Sequence, residues 1–383
     1  MKKKLVIVTD VMTIGGVEKV IIDTLIGLDY SKFDVTLFVM YKTGHEKNNI
    51  SKIPENVKIK YLFNKPIKGF YQRILFYILM FFPHKLIRDF LVKEEFDVVV
   101  TTKDIFSYPF SSSNAYKVMW IHGGLEYLED YKLTFLNKIK IRYKKFTYSK
   151  FDQVLLLTQA AKNRFCEFYS LHERCNVLHN PINDREIIRL AMEKVNDYKF
   201  RDRITIVCSC RLSIEKGVDR LLNACAKLAN EGYLFHLLIL GDGPEKTKLT
   251  EIIHTNKSLQ DKADFLGFKE NPYKYLKKCN IYVSPSLSEG FSLSIAEAII
   301  LELPILSTEC HGPSEILDNG KFGLVVKNSE DHIYEGLRNM LSTPELIDFY
   351  KSKSKVRKEF FAYEKNIRLF EELISSGDQI KIS

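Results

Sequence analysis

Residues Pro285–Ile299 read PSLSEGFSLSIAEAI, and the interpretation of the chain begins with them. The apolar run Ile281–Ser284 comes just before and predicts a strand that ends in a Ser- and Gly-rich turn. The turn is predicted to open a helix that carries two carboxylates, Glu289 and Glu297, eight positions apart. Turns at strand ends and helix N-termini present N–H groups to anions, so the stretch predicts a ligand site. An ordinary amphipathic helix, capped by one of its serines, is the alternative.

The composition indicates a soluble, globular protein of two domains. A chain of 383 residues is longer than one ordinary core needs, and 45% hydrophobic with 27% charged residues is typical of folded proteins. The formal net charge of +9 would suit nucleic acid, anionic lipid or a phosphate-bearing ligand. Seven cysteines without a Cys-x-x-Cys pair predict buried, reduced thiols of a cytosolic protein. The start of the chain predicts a strand and not an export signal, and no apolar stretch is long enough to span a membrane.

Apolar strand candidates alternate with helix candidates such as Gly16–Leu28 and Phe70–Val92, which predicts an α/β fold with parallel sheets. A polar stretch, Asn183–Arg203, separates two sets of strands, so we predict two Rossmann-like domains that face each other across a cleft. Residues 1–182 would form the first domain and 183–355 the second, and a C-terminal helix in 356–383 would pack back on the first. The strand candidates are Leu5–Thr9, Val35–Met40, Val98–Thr101, Val118–His122, Val154–Thr158, Ile204–Ser209, Phe235–Leu240, Ala263–Leu266, Ile281–Ser284, Ile305–Ser307 and Leu324–Val326.

Two motifs of the first domain lie where predicted strands end. Gly15 and Gly16 follow the first strand and lead into a helix, so the backbone there can turn sharply and approach a ligand. The spacing differs from the Gly-x-Gly-x-x-Gly fingerprint, which disfavours a nicotinamide enzyme, and a plain strand-to-helix turn is the alternative. His122 ends a strand and precedes two glycines, where α/β enzymes place working side chains, although a lone histidine is more often structural.

In the second domain, the loop RLSIEKG carries two cations, Arg211 and Lys216, just after a strand. They are predicted to converge on one anion, of which a diphosphate is the obvious candidate, and ordinary surface charge is the alternative. Two further turns follow strands: GDGPE, residues 241–245, and LGF, which ends in Phe268. Either could border a nucleobase, but both are first of all sequences typical of tight turns. Neither Asp-x-Asp nor a His/Cys cluster with ligand spacing occurs, so we expect no metal and no other cofactor.

Several motifs follow one another along the chain: GGVE, WIHGG, HNPI, RLSIEKG, GDGP, LGF, SEGFSLSIAEA and LPILSTECHGPSEIL. As a set they resemble the retaining, two-domain glycosyltransferases of the GT-B fold, in the large bacterial group called family 4 or glycosyl transferases group 1. The resemblance covers nearly the whole chain, and its most specific part is Glu289 and Glu297 after the RLSIEKG loop. It implies a metal-independent hexosyltransferase whose nucleotide-sugar co-substrate, expected to be UDP-linked, binds in a cleft between the domains.

The resemblance also implies roles for single residues. Glu297 would bind the ribose hydroxyls, and Glu289 would contact hydroxyls of the donor sugar. His122 would reach the transferred sugar, the Gly15–Gly16 loop would close over the diphosphate or the acceptor, and Phe268 would border the base. The diphosphate would be held by Arg211 and Lys216 and by the backbone at Gly290, Phe291 and Ser292.

The resemblance implies retention by front-face attack of the acceptor hydroxyl, assisted by the departing phosphate. Where many relatives carry an acidic residue after the histidine, this chain has Gly123, so contacts on that side are open. A nucleotide-sugar epimerase of similar layout and a noncatalytic sugar-nucleotide-binding subunit are the alternative functions.

Two segments of the first domain, Ile67–Lys93 and Asn137–Lys150, are basic and apolar together and fit helices that lie on an anionic membrane. Core helices with a solvated face are the alternative. A membrane position would make the acceptor a lipid-linked sugar or glycan of a surface polysaccharide, and would place the protein in the cytoplasm or peripherally on the cytoplasmic face. We expect no nucleic-acid partner. The basic residues are Lys68, Arg73, Lys85, Arg88, Lys138, Lys140, Arg142, Lys144 and Lys145.

Overall fold

The computed structural model describes residues 1–13, 15–44, 46–67, 69–92, 94–125, 128 and 134–376. Two basic residues of the first membrane candidate, Lys68 and Lys93, therefore lie outside the described residues. The chain folds into two compact units: unit 1 comprises Met1–Pro181 and Tyr363–Ser383, and unit 2 comprises Ile182–Ala362.

Unit 1 is built on a seven-stranded sheet whose described pairs are all parallel, in the order β3-β2-β1-β4-β5-β6-β7. Parallel neighbours need crossover connections, so helices separate most of the strands along the chain. The strands are β1 Lys3–Thr9, β2 Phe33–Tyr41, β3 Lys58–Phe63, β4 Val98–Thr101, β5 Tyr116–Ile121, β6 Gln153–Leu156 and β7 Cys175–Val177. The helices are α1 Gly16–Gly27, α2 Lys47–Ile50, α3 Phe70–Phe81, α4 His84–Leu91, α5 Asp104–Phe110, α6 Phe135–Tyr148 and α7 Gln159–Tyr169, with a 3-10 turn at His172–Arg174.

Unit 2 has a six-stranded parallel sheet in the order β10-β9-β8-β11-β12-β13. Its strands are β8 Ile204–Ser209, β9 Phe235–Leu240, β10 Ala263–Gly267, β11 Ile281–Ser284, β12 Ile305–Thr308 and β13 Leu324–Val326. Its helices are α8 Asp184–Ala191, α9 Val218–Asn230, α10 Lys246–Thr255, α11 Tyr273–Leu276, α12 Leu293–Ile300, α13 His311–Ile316, α14 Glu330–Ser342 and α15 Pro344–Arg357, with 3-10 turns at Ile214–Lys216 and Lys358–Phe361.

The last helix, α16 at Tyr363–Ser375, belongs to unit 1. Phe370 is fully buried on its inner face, and its ring centroid lies 5.1 Å from that of Trp120 on β5. The Glu371 carboxylate accepts the backbone N–H of Asp29 at 2.7 Å. Apolar packing and a buried acceptor thus attach α16 to the first part of the chain.

The predicted fold class is confirmed, and the differences concern single elements. The strands β3 and β7 were not among the sequence predictions. The predicted helical segment Phe70–Val92 is two helices, because Phe82 precedes Pro83 and takes an extended conformation. His122 lies just after β5 and not at its last position.

Candidate functional site

Glu289 lies in the loop that joins β11 to α12. The prediction that one helix carries both carboxylates is wrong, because α12 begins only at Leu293 and includes Glu297 alone. Ser292 caps this helix, and its Oγ accepts the N–H of Ile295 at 3.4 Å. The cap satisfies one of the unpaired donors that every helix start has. Glu289 therefore stands in front of the helix, with Glu297 one turn inside it.

Lys216 and Glu289 form an ion pair through Nζ and Oε2. The two side chains are 22% and 13% exposed, so water screens their attraction only in part. Burial alone would lower the pKa of Lys216, but the attraction and the hydrogen bond of Glu289 outweigh it and raise that pKa. The amine therefore carries its charge at neutral pH. The structure thus brings together two of the predicted site residues.

Arg211 differs from Lys216 in its surroundings. Its side chain is exposed at the end of β8, and within the described part of the chain no ion-pair partner of its guanidinium occurs. A guanidinium is a planar fork of donors that suits phosphate oxygens. Arg211 is thus the cation of this loop that a bound anion would meet without first displacing a carboxylate.

Glu297 is half-buried on α12, and its Oε1 accepts the hydroxyl hydrogen of Tyr273 at 2.9 Å. Tyr273 itself is buried at the start of α11. The hydrogen bond orients the carboxylate, and the two oxygens of a carboxylate can accept more than one hydrogen bond. Tyr273 could not be predicted from the sequence, because it lies 24 residues before Glu297 in a stretch without a motif.

The other predicted residues of unit 2 lie at the same ends of its strands. Phe268, just after β10, is 49% exposed and available to a planar ligand. Phe291 and Ser292 are buried side chains at the start of α12, and Gly290 is half-buried.

The loop before Glu289 is fixed by the RLSIEKG loop. Gly217 has a φ of +59°, and a Cβ there would overlap the carbonyl oxygen of Pro285, so both conformation and space require glycine. Arg220 donates to that same carbonyl oxygen. The N–H of Leu287 donates to the carbonyl of Glu215 at 2.8 Å. The segment that carries Lys216 and the segment that carries Glu289 are therefore one hydrogen-bonded structure.

The loop is fixed from its other side by residues after β12. Thr308 donates its hydroxyl to the carbonyl of Ser286 at 2.6 Å, and the N–H of Gly312 donates to the carbonyl of Glu289 at 3.2 Å. A Cβ on Gly312 would lie 2.6 Å from the carbonyl carbon of Gly290 and 2.9 Å from the Glu289 oxygen. Gly312 is part of the quoted motif LPILSTECHGPSEIL, but its role follows only from this close approach.

In unit 1, Gly15 caps α1 with extended backbone, and Gly16 begins the helix. The Glu18 carboxylate lies directly against Gly15, where a Cβ would meet its Oε2. Glu18 is only 7% exposed, and burial raises its pKa. A carboxylate, and not an empty anion site, therefore occupies this helix start. Glu18 is part of the motif GGVE, but the motif alone does not predict that its carboxylate lies against Gly15.

His122 is half-buried, and its Nε2 is buried without a hydrogen-bond partner among the described residues. Its ring packs on Trp120 with centroids 4.6 Å apart. Burial, helped by the charge of Lys103, lowers the pKa of His122 to about 3. The imidazole is thus neutral at physiological pH and offers a hydrogen bond, not a charge.

In the ranges that the structure describes, no group of three or more His, Cys, Asp or Glu side chains is placed to hold a metal ion. None of the helices described is both long enough and apolar enough to cross a membrane.

Two family models together match most of the chain. The model described as Glycosyltransferase Family 4 matches residues 14–186, and Glycosyl transferases group 1 matches residues 193–357. The chain belongs to the family 4, or group 1, glycosyltransferases. The first match falls almost wholly in unit 1 of this glycosyltransferase and the second in unit 2. The predicted family is thereby confirmed.

Curated relatives match over part of their length. The N-acetylgalactosamine-N,N'-diacetylbacillosaminyl-diphospho-undecaprenol 4-alpha-N-acetylgalactosaminyltransferase of Campylobacter jejuni is 31% identical over 217 residues, 56% of this chain and 57% of the relative. An uncharacterized glycosyltransferase of Methanocaldococcus jannaschii is 31% identical over 238 residues, 61% of this chain and 57% of the relative. The chain thus matches a little over half the length of these relatives.

Solved structures are similar over nearly the whole chain. Anabaena HepE in complex with UDP and glucose has a TM-score of 0.76 at 16% identity, covering 98% of this chain and 100% of that one. A glycosyltransferase of Rickettsia africae has a TM-score of 0.77 at 18% identity, covering 98% of each chain. At such identities the similarity concerns the fold, and it confirms two parallel-sheet α/β units of the GT-B type.

Proposed function

We propose that this glycosyltransferase moves a hexose or N-acetylhexosamine from a UDP-sugar to a lipid-linked or glycan acceptor in the synthesis of a surface polysaccharide. The observation that carries the proposal is the Lys216–Glu289 ion pair, held in front of the start of α12. It combines a cation, a carboxylate and helix N–H groups in one place. Those are the groups that a diphosphate linked to a polyhydroxy ring requires.

Unit 2 would bind the donor. Arg211 and Lys216, with the backbone at Gly290, Phe291 and Ser292, would hold the diphosphate and stabilise the charge that develops on it as the glycosidic bond breaks. Glu289 would accept hydrogen bonds from the sugar, and Glu297, oriented by Tyr273, from the ribose hydroxyls. Phe268 would border the base. Fixed cations in the place of a metal ion are the basis for proposing a metal-independent reaction, and the resemblance to retaining glycosyltransferases is the basis for proposing retention.

Unit 1 would contribute to the sugar and the acceptor. A neutral His122 would hydrogen-bond the transferred sugar through a ring nitrogen that has no other partner among the described residues. The Glu18 carboxylate beside Gly15 would repel a phosphate, so for the Gly15–Gly16 loop we favour an acceptor hydroxyl over the diphosphate.

The choice of substrates draws on the relatives. HepE is solved with UDP and glucose and with UDP-glucose, and the Campylobacter relative is named for a diphospho-undecaprenol substrate. By analogy we propose a UDP-linked donor, a lipid-linked acceptor, and a cytoplasmic protein that works peripherally on an anionic membrane.

The experiment that tests this function compares the wild-type chain with Glu289→Gln. The purified proteins receive UDP-sugars and a lipid-linked acceptor, and UDP release and glycosylated product are measured. The amide keeps the size of the side chain but loses its charge, and we expect transfer to fall about 10²-fold or more while UDP still raises the melting temperature. Glu330→Gln, which alters an ion pair between the half-buried Glu330 and the exposed Lys227, is the matched control.

Two results would contradict the function. Interconversion of donor sugars without UDP release would identify an epimerase, and UDP binding without turnover on any acceptor would favour a noncatalytic subunit. Full activity of Glu289→Gln would remove the role of Glu289 but leave the enzyme class intact.

A further inference from the structure

Helix α3 is apolar on two sides, and only one side faces the core of unit 1. Leu79 and Met80 point inward and are 1% and 3% exposed. The opposite face also consists of large apolar side chains, which recur every three or four residues and therefore form one stripe along the helix. Their exposed fractions are 73% for Phe70, 72% for Tyr71, 38% for Ile74, 57% for Tyr77, 45% for Ile78 and 60% for Phe81.

The stripe continues on the two neighbouring helices. On α4 and just before it, Phe82, Leu86 and Phe90 are 54%, 60% and 75% exposed. On α6, Ile139 and Phe146 are 52% and 58% exposed. Contiguous apolar surface of this kind on a folded unit indicates an interaction site, whereas scattered single residues do not.

Polar contacts beneath the stripe fix the three helices to one another. His84 of α4 lies with Nε2 3.1 Å from the carbonyl oxygen of Met80 on α3 and 2.9 Å from the hydroxyl of Tyr143 on α6. The rings of Phe81 and Tyr143 have centroids 5.6 Å apart. The apolar face is therefore presented by a braced set of helices and not by a loop.

The same three helices concentrate positive charge. They contain eight Lys and Arg residues and one acidic residue, Asp89, which is itself paired with Arg88. A second cation, Lys144, is paired with Asp104. The other six, all exposed, are Arg73, Lys85, Lys138, Lys140, Arg142 and Lys145.

We propose that the outward faces of α3, α4 and α6 form a membrane-binding surface whose aromatic side chains insert into the interfacial layer of an anionic leaflet. Aromatic rings prefer the interface of a bilayer, and lysine and arginine above an apolar face attract anionic headgroups. The proposal deepens the proposed function by naming the residues that would bring the enzyme to a lipid-linked acceptor. Vesicle binding, however, is independent of donor chemistry.

A second copy of this chain fits the surface less well. A symmetric dimer would place the same patch against itself, and six exposed cations would face six others. An anionic leaflet supplies both the apolar layer and the opposite charge. A contact between two copies would supply the apolar layer but not the opposite charge.

The test is co-sedimentation of the full chain with vesicles of phosphatidylcholine and phosphatidylglycerol, compared with phosphatidylcholine alone. We expect wild type to bind the anionic vesicles. The variant Phe70→Ser/Tyr71→Ser/Phe81→Ser should lose at least about tenfold in partition, because three rings no longer leave water. Lys138→Glu/Lys140→Glu should lose about fivefold or more for each lysine removed. The control Leu234→Ser/Phe349→Ser removes two exposed apolar side chains of unit 2 and should bind as wild type does.

Thermal stabilisation by UDP, measured on the same preparations, separates this proposal from the proposed function. It should be equal in wild type and in all variants, which also shows that they are folded. Sedimentation of the serine variant at the wild-type level would overturn the membrane surface. So would a wild-type dimer in light scattering that the serine substitutions dissociate, because the occupant would then be a second copy. Absence of UDP stabilisation in every sample, with vesicle binding intact, would instead contradict the donor assignment alone.

Discussion

Gly312 sets the position of Glu289 by backbone contact alone. It donates its N–H to the Glu289 carbonyl, and its missing side chain lets the chain at Gly290 pass within van der Waals distance. Glu289 in turn is held to Lys216. A residue that touches no ligand can therefore decide where the carboxylate and the amine lie.

The substitution Gly312→Ala should displace the Glu289 loop, because the new Cβ cannot share space with the Gly290 carbonyl. A shift of about 1 Å at a substrate-positioning residue costs on the order of 10²-fold in rate. We expect turnover at saturating donor to fall by about that factor, whereas the melting temperature should change only slightly. Ser314→Ala on the same helix is the control, and equal activity of the two variants would show that the close approach is unimportant.

The lowered pKa of His122 predicts a pH dependence of stability. In the unfolded state, His122 binds a proton once the pH falls below its ordinary pKa of 6.5. In the folded state it binds one only near pH 3. The folded protein therefore loses stability as the pH falls from about 6.5 toward 3. Above pH 6.5, His122 is neutral in both states and causes no such loss. Denaturant titrations should show a shallower fall in unfolding free energy for His122→Asn than for wild type over this range. Parallel curves would mean that His122 titrates normally.

At the scale of elements, α16 completes unit 1 from the far end of the chain. Neither motif nor spacing predicts its contacts with Trp120 and Asp29, because the partners are far apart in the sequence. Trp120 and Phe370 are 250 residues apart, and Asp29 and Glu371 are 342 residues apart. Gly27 shows how close the approach is, because a Cβ there would lie 2.7 Å from the side chain of Ile367. The helix is thus part of the core and not an appendage.

Truncation of the buried ring in Phe370→Ala should lower the free energy of unfolding of unit 1 by about 3–5 kcal/mol, the usual cost of emptying such a site. Urea unfolding followed by tryptophan fluorescence would measure it, since Trp120 is the single tryptophan and lies beside the cavity. Phe349→Ala, at a half-exposed ring on α15, should cost far less. Equal midpoints for the two variants would contradict the packing role of α16.

At the scale of the whole molecule, the proposed function assigns the positive charge that a diphosphate requires to two side chains, Arg211 and Lys216. We therefore predict that chelation with EDTA leaves the rate of sugar transfer unchanged, and that added Mg²⁺ does not raise it. A fixed cation and a helix start stabilise developing negative charge as a metal ion would. Loss of transfer on chelation, restored by a divalent cation, would contradict this prediction and the assignment of Arg211 and Lys216 together.

The sequence predicted best where one physical cause dominates. Strands buried on both faces are nearly continuous apolar runs. In Phe235–Leu240 only His236 interrupts the run, and the structure begins and ends β9 at those residues. The edge strand β3 was not predicted, because Lys58 and Lys60 interrupt its apolar pattern. In the site, residue types and loop positions were predictable, but the Lys216–Glu289 pair, the Tyr273 hydrogen bond and the Gly312 contact depend on tertiary approach that no local pattern encodes.

The division of the chain into units has a consequence for its biosynthesis. Unit 1 uses residues from both sides of unit 2, which is formed by the uninterrupted segment Ile182–Ala362. A ribosome releases residues in order, and domains usually fold as they emerge, the N-terminal one first. Here α16 is made after unit 2, so the site that Phe370 fills in unit 1 stays open until the segment that forms unit 2 has been synthesised. We therefore expect unit 1 to complete its fold only after the whole of unit 2 has been synthesised.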